Sequence, residues 1–292
     1  MMKIQPLSII QYRDIRQFNL LSWYGLLFLL VIIAANMRIA HAADAEVRAH
    51  ILQVSDPVKS GEYVRKRFVS QQDKAFGADD QRKKMLIMGD SHAQDFYNAL
   101  SENNINQRYQ VRTRRIPAIC GVYLGPEDIS GLIEKKHIPI CDKAGTLAAA
   151  MPQIQQADVV IIAANWKLWS AQRLKTTVKN LQIKSSQKLF VVGRKNFGKL
   201  NLRQYLRMPN AELRQLHNPV HGAQQEINRI MKQTLSPGVF VDIQGLICRN
   251  EADCPLFTPQ TRLISFDGGH LTPDGAKFVG GVVLQHAPLN EL

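Results

Sequence analysis

Three residues of this chain have the types and the setting for acyl chemistry. Ser91 follows four apolar residues and a Gly-Asp turn in "MLIMGDSHAQDFYNAL", residues 85–100, and opens a helical pattern. Asp267 and His270 stand three apart in "SFDGGHLTPDGAKF", residues 265–278, just before the last helical pattern. A serine hydroxyl is a weak nucleophile until a base takes its proton, and the base needs an acceptor that fixes its tautomer. An Asp-x-x-His loop supplies both partners from one segment, and Gly268-Gly269 lets that segment bend tightly. A serine at the start of a helix also has free N–H groups and the positive dipole end beside it, which suit a tetrahedral oxyanion. Each residue has a plainer reading: Ser91 as an N-cap, Asp267 as a turn former, His270 as a structural histidine.

The elements around these residues decide whether they can meet. "MLIMG" (85–89) reads as a buried strand ending in glycine, and "YQVRTRRI" (109–116) alternates like a strand. "ADVVIIAA" (157–164) is a continuous β-branched run, the pattern of a central parallel strand covered on both faces. "QKLFVVG" (187–193) and "GVFVDI" (238–243) complete five. Helical patterns lie at 92–100, with Phe96, Ala99 and Leu100 on one face, and near 143–156, 170–184 and 221–235. The last helix starts with Thr272 as cap and Pro273 at the first position, and runs on through Gly280-Gly281. Strands alternating with helices predict an α/β fold with a parallel sheet. Functional sites in such sheets lie beyond the carboxyl ends of the strands, where Ser91 falls.

Composition narrows the function. The 292 residues are 45% hydrophobic and 21% charged, an ordinary globular balance without repeats or low-complexity tracts. The net charge of +13 admits anionic partners. The basic residues are scattered, as in "VRKR", "QRKK", "RTRR" and "EKK", with no aromatic-rich basic stripe. That argues against a nucleic-acid module and for a solvated basic surface; for an exported protein, anionic lipid headgroups or acidic glycans are the anionic partners that fit.

The first 42 residues read as a leader. Lys3, Arg13 and Arg16 precede an uncharged 16-residue run, Leu20 to Ala35, and "AHA" (40–42) has the form of a cleavage site. The run is short for a membrane span, which takes about 20 residues, so a signal peptide and a single N-terminal membrane anchor both fit. Either one exports the rest of the chain. Removing positions 1–42 leaves a net charge of +10. Residues 43–84 are polar with a few apolar positions and read as a linker or stalk with some helix, partly docked; the domain proper is expected over 85–292. Export suits the four cysteines, Cys120, Cys141, Cys248 and Cys254. Three pairings are possible, Cys248–Cys254 closing a short loop and Cys120–Cys141 among them. Their spacing is not that of a zinc site. No metal or cofactor is implied, because serine chemistry needs none.

The two end motifs, "GDSH" and "DGGHLTPDGA", resemble those of the SGNH hydrolases. The likeness is nearest to the exported SGNH domains attached to integral-membrane acyltransferases that O-acylate surface polysaccharides. It extends over about residues 83–288 through Cys120, "VVIIAANWKLW" (159–169) and the Cys248/Cys254 pair. The resemblance implies a three-layer α/β/α sandwich with a five-stranded parallel sheet. It implies Ser91 as nucleophile, His270 as base and Asp267 as orienter, with the Ser91 N–H in an oxyanion hole. The family's Gly-x-Asn-Asp block is missing here. Asn165 in "AANW" and Gly121 beside Cys120 are the candidates for the remaining oxyanion donors.

His92 follows the nucleophile and is expected to shape the pocket or point elsewhere. Trp166 and Trp169 suit core packing better than sugar stacking. Arg194 and Lys195, after the fourth strand, are expected to be solvated charge, with contact to an acidic glycan as the alternative.

The expected activity is that of an exported serine esterase or O-acetyltransferase on cell-surface carbohydrate, working through an acyl-serine. Its substrate is an acylated glycan or polysaccharide, and a separate polytopic membrane acyltransferase is the partner that would supply acyl groups. The competing expectation is a non-catalytic glycan-binding or assembly protein on the same fold.

Overall fold

The continuous apolar runs become the five strands of one parallel sheet. A computed structural model of the protein describes residues 28, 29, 31, 32, 44–220, 222–249 and 253–292. The chain divides into two units, Met1–Arg48 and Ala49–Leu292. The expected leader, residues 1–42, lies outside the described residues apart from four helical positions. Among the described residues no helix is long and apolar enough to cross a membrane.

In the second unit the strands are β1 (Lys83–Gly89), β2 (Tyr109–Arg115), β3 (Val159–Ala163), β4 (Lys188–Val192), β5 (His217–Pro219), β6 (Phe240–Val241) and β7 (Asp253–Pro255). The main sheet has the order β2-β1-β3-β4-β6, with every pairing parallel. β5 and β7 form a separate antiparallel pair. Parallel strands need crossovers, and helices supply them on both faces. Leu86, Met88, Val160, Ile162 and Val191 point to one face. There they pack with Leu147 and Ala150 of α3 (Leu147–Ile154), Ala171 of α4 (Leu168–Gln172), Leu174 of α5 (Leu174–Asn180), and Ile227 and Met231 of α6 (Gly222–Thr234). Met85, Ile87 and Ile161 are also fully buried and, by strand alternation, serve the other face.

That second face is covered by α2 (Ser91–Ser101), flanked by α1 (Pro57–Gln71) and α7 (Pro273–Val283). The sequence predicts one apolar face for α2, but every residue from Ala93 to Leu100 is buried. The reason is tertiary: helices from distant parts of the chain close both sides of α2 against the sheet. Asp56 caps α1 and Pro57 occupies its first position. Phe68 and Val64 of α1 are buried, and the Asn98 side chain of α2 donates to the Tyr63 and Val64 carbonyls at 3.2 Å. The segment expected as a partly docked linker thus carries α1, which packs on α2 and β2.

Two other helices differ from expectation. The pattern over 170–184 is two helices, α4 and α5, broken at Arg173, and that over 143–156 shrinks to α3, capped by Thr146. α7 starts as expected: the Thr272 hydroxyl accepts the Gly275 N–H at 2.9 Å. The cysteines pair as Cys120–Cys141 and Cys248–Cys254.

Candidate active site

At the carboxyl end of β1, Gly89 has φ +141°. A Cβ there would lie 1.8 Å from the Ala163 carbonyl oxygen at the end of β3, so only glycine permits this approach. Asp90, not Ser91, is the N-cap of α2, accepting the His92 N–H at 2.9 Å. Its two carboxylate oxygens also accept the Asn165 N–H at 3.2 and 3.0 Å, tying the turn after β1 to the turn after β3. Burial raises the Asp90 pKa, and these hydrogen bonds act against it. Ser91 is left as the first helical residue. Among the described residues its N–H and its hydroxyl make no hydrogen bond.

The Asp-x-x-His loop forms the arrangement its spacing predicts. Asp267 Oδ2 lies 2.7 Å from His270 Nδ1. Asp267 Oδ1 accepts the N–H groups of Gly269 at 2.8 Å and His270 at 2.7 Å. Burial works against the Asp267 carboxylate, but the bonds from His270 and Gly269 outweigh it and hold its pKa down to about 2. The Asp267 hydrogen bond raises the His270 pKa, opposed by burial. The contact engages Nδ1 and leaves Nε2 as the nitrogen for proton transfer. Phe266 stacks on the His270 ring at 5.9 Å between centroids. Gly268 has φ +87°, and a Cβ there would meet the Gly198 carbonyl oxygen at 2.1 Å. The Phe197 N–H donates to the Gly268 carbonyl at 2.8 Å.

The sequence reading missed Asp95, and it expected Lys195 to be solvated. Both are buried, with side chains 0% and 4% exposed, and form an ion pair of 2.6 Å. Lys195 Nζ also donates to the Gly269 carbonyl, and Asp95 Oδ1 accepts the Leu271 N–H at 3.2 Å. Burial pushes the Asp95 carboxyl up, against the pull of Lys195. Asp95 lies four residues after Ser91, on the same face of α2. Its one-turn neighbours Ser91, His92 and Asn98 are polar, so nothing in the sequence marks Asp95 for this role.

Two cavities meet at these residues. One, of about 400 Å³, is walled by Val64 and Val69 of α1, by Pro117, Ala118 and Ile119, and by Phe266. The other, of about 380 Å³, is polar and includes Arg194, Asn196, Lys199 and Asp267. Ser91, Asn165 and His270 line both. Gly121 lines neither; it lies against the Trp169 ring. Trp166 is fully buried and donates from Nε1 to the Val192 carbonyl at 2.8 Å, which makes it a core residue. His92 lines the polar cavity with its Nδ1 buried and unpartnered. Burial, with positive charge from Lys195, His270 and Arg194, lowers its pKa well below the usual histidine value, which makes it a weak proton acceptor and a poor candidate for the base.

A parallel sheet with a serine turn at its carboxyl edge, and with an aspartate–histidine loop leading into the last helix, belongs to the SGNH class of α/β domains. The chain is a member of that family: the model for "SGNH domain (fused to AT3 domains)" matches residues 60–285. Among solved structures, the periplasmic domain of a lipopolysaccharide acetyltransferase from Salmonella ser. Paratyphi A has the same fold. It aligns with a TM-score of 0.55 at 16% identity, over 82% of this chain and 98% of that one. A search of curated proteins finds no match.

Proposed function

We propose that the protein is an exported serine enzyme that moves an acyl group, acetyl foremost, to or from cell-surface carbohydrate. The observation that carries this reading is the convergence of Ser91, His270 and Asn165 on one pair of cavities, with His270 held by Asp267 at 2.7 Å. In the first half-reaction Ser91 Oγ attacks the ester carbonyl carbon while His270 Nε2 takes its proton. The Ser91 N–H and the Asn165 side chain hold the oxyanion. The tetrahedral intermediate collapses, His270 returns the proton to the departing alcohol, and the acyl group stays on Ser91. In the second half-reaction a sugar hydroxyl or water attacks the acyl-serine, again with His270 as base. The Ser91 hydroxyl makes no hydrogen bond as described, and such contacts commonly tighten only in the substrate complex. Family membership, in a group fused to membrane acyltransferases, supports transfer. A membrane acyltransferase then supplies the acyl group.

The full chain and its Ser91→Ala variant test the reading with an aryl acetate, in the presence and absence of an oligosaccharide. Turnover that depends on Ser91, with an acetylated Ser91 peptide found by mass spectrometry after acid quench, is expected. Acetyl on the sugar marks a transferase; acetate alone marks an esterase. Equal turnover by the two proteins, or none by either when folded, would leave the site to a glycan-binding role.

A further inference from the structure

The mouth of the site carries five basic side chains. Arg65, Arg115 and Lys167 line the first cavity, and Arg194 and Lys199 line the second. None of the five forms an ion pair with an acidic side chain among the described residues. Some cations elsewhere are paired, Arg67 with Glu102, Arg173 with Glu127, Lys188 with Glu291 and Arg229 with Glu226; what sets the mouth apart is that five cations gather around two joined cavities. The acids at the mouth are already engaged, Asp90 by the His92 and Asn165 N–H groups and Asp267 by the His270 loop.

Arg194 is the sharpest case. It is half-buried, its Nε is buried without a partner, and its one side-chain hydrogen bond is to the Trp166 carbonyl at 3.3 Å. Burial lowers its pKa, while the charge of Asp90 acts the other way. Holding a guanidinium out of water without a paired acid costs free energy, and an arriving anion offsets that cost with charge-assisted, often bidentate, hydrogen bonds. Unpaired charges of one sign around a cleft also raise the local concentration of the opposite ion.

We propose that the polar cavity seats an anionic sugar, its carboxylate or phosphate held by Arg194 and Lys199 beside Ser91. This rests on the reading of Ser91 and His270 as an acyl-transfer site on carbohydrate. It adds the charge of the sugar: the glycan is acidic, and Arg65, Arg115 and Lys167 extend the positive field along it.

Binding without turnover tests this. The full-length Ser91→Ala protein is titrated calorimetrically with an oligogalacturonate, a phosphorylated malto-oligosaccharide and the neutral malto-oligosaccharide, at low and at physiological salt. At least one acidic sugar is expected to bind about ten-fold more tightly than the neutral one, with the advantage shrinking as salt screens it. The preferred sugar identifies the anion as carboxylate or phosphate. Arg194→Gln with Lys199→Gln abolishes the preference. Lys83→Gln with Lys188→Gln, at the amino ends of β1 and β4, keeps it. Lys199→Gln alone, at an exposed position, reduces it in part and serves if the Arg194 variant fails to fold. Equal affinity for acidic and neutral sugars, or an equal loss in the Lys83/Lys188 variant, overturns the proposal. Such a result would leave Ser91-dependent turnover untouched. Acid-selective binding without any Ser91-dependent turnover would overturn the acyl-transfer reading instead.

Discussion

Asp95 and Lys195 grip the His270 loop from both sides. Their 2.6 Å ion pair is buried, Lys195 reaches the Gly269 carbonyl, and Asp95 takes the Leu271 N–H. Because Asp95 sits one turn after Ser91, the helix that carries Ser91 also braces the loop that carries His270.

Breaking the pair is therefore expected to cost both stability and rate. Asp95→Asn leaves the Lys195 charge without its counter-ion, a loss of about 3–5 kcal/mol. Thermal unfolding should drop by roughly 10 °C. In protein kept below that midpoint, kcat should fall by more than KM changes, because the displaced loop carries His270 and forms only part of the cavity walls. Asp95→Glu should restore part of kcat. A wild-type kcat in Asp95→Asn would show that the grip does not position His270.

The pH profile follows from the histidine. In the proposed reaction His270 is a base only when neutral, and Asp267 raises its pKa above the ordinary 6.5. Activity should rise with pH through an apparent pKa above that value. Asp267→Asn removes the raising contact, so the acid limb should move to lower pH while kcat falls by about 10²–10⁴-fold. Rate measurements from pH 5 to 9 on both proteins check the shift. An unmoved limb would assign it to another group.

The disulfides should differ in weight. Cys120–Cys141 spans 21 residues and Cys248–Cys254 spans 6. In the chain-entropy account, replacing the first pair by serine costs roughly 3 kcal/mol and the second roughly 2 kcal/mol. Guanidinium unfolding of the two double variants gives the order. The Cys120/Cys141 variant should also weaken substrate binding, since the neighbouring Ala118 and Ile119 wall the first cavity.

Phe68 of α1 is 0% exposed. Phe68→Ala should cost about 3–5 kcal/mol, as for a core aromatic. Val69→Ala, at a position 54% exposed, should change stability by under about 0.5 kcal/mol. Unfolding curves for the two compare a helix built into the domain with one resting on it. A small loss in Phe68→Ala would mean that α1 is only loosely attached.

The central strands were legible because a parallel sheet covered on both faces writes itself as unbroken apolar runs. "ADVVIIAA" and "QKLFVVG" became β3 and β4 within a residue or two at each end. The fifth strand was overestimated: only Phe240 and Val241 pair with β4 at the sheet edge. Asp267 and His270 were readable because their hydrogen bonds are local, made within four residues. Asp95 and Lys195 were not, since they meet across 100 residues and each alone looks like ordinary surface charge. The burial of α2 escaped for the same reason: it depends on α1 and α7, from opposite ends of the domain.

The first cavity draws its wall from several stretches of chain, the segment Pro117–Ala118–Ile119 among them. Phe266 and the turn around Ser91 belong to the apparatus at the sheet edge, whereas Gly61, Val64, Arg65 and Val69 come from α1, outside the sheet. What the cleft admits and what the site does to it are therefore written in different stretches of chain. Substitutions in residues 61–69 reshape the first cavity without touching Ser91, Asp267 or His270, which makes α1 the natural segment to exchange between relatives when that cavity is to be refitted.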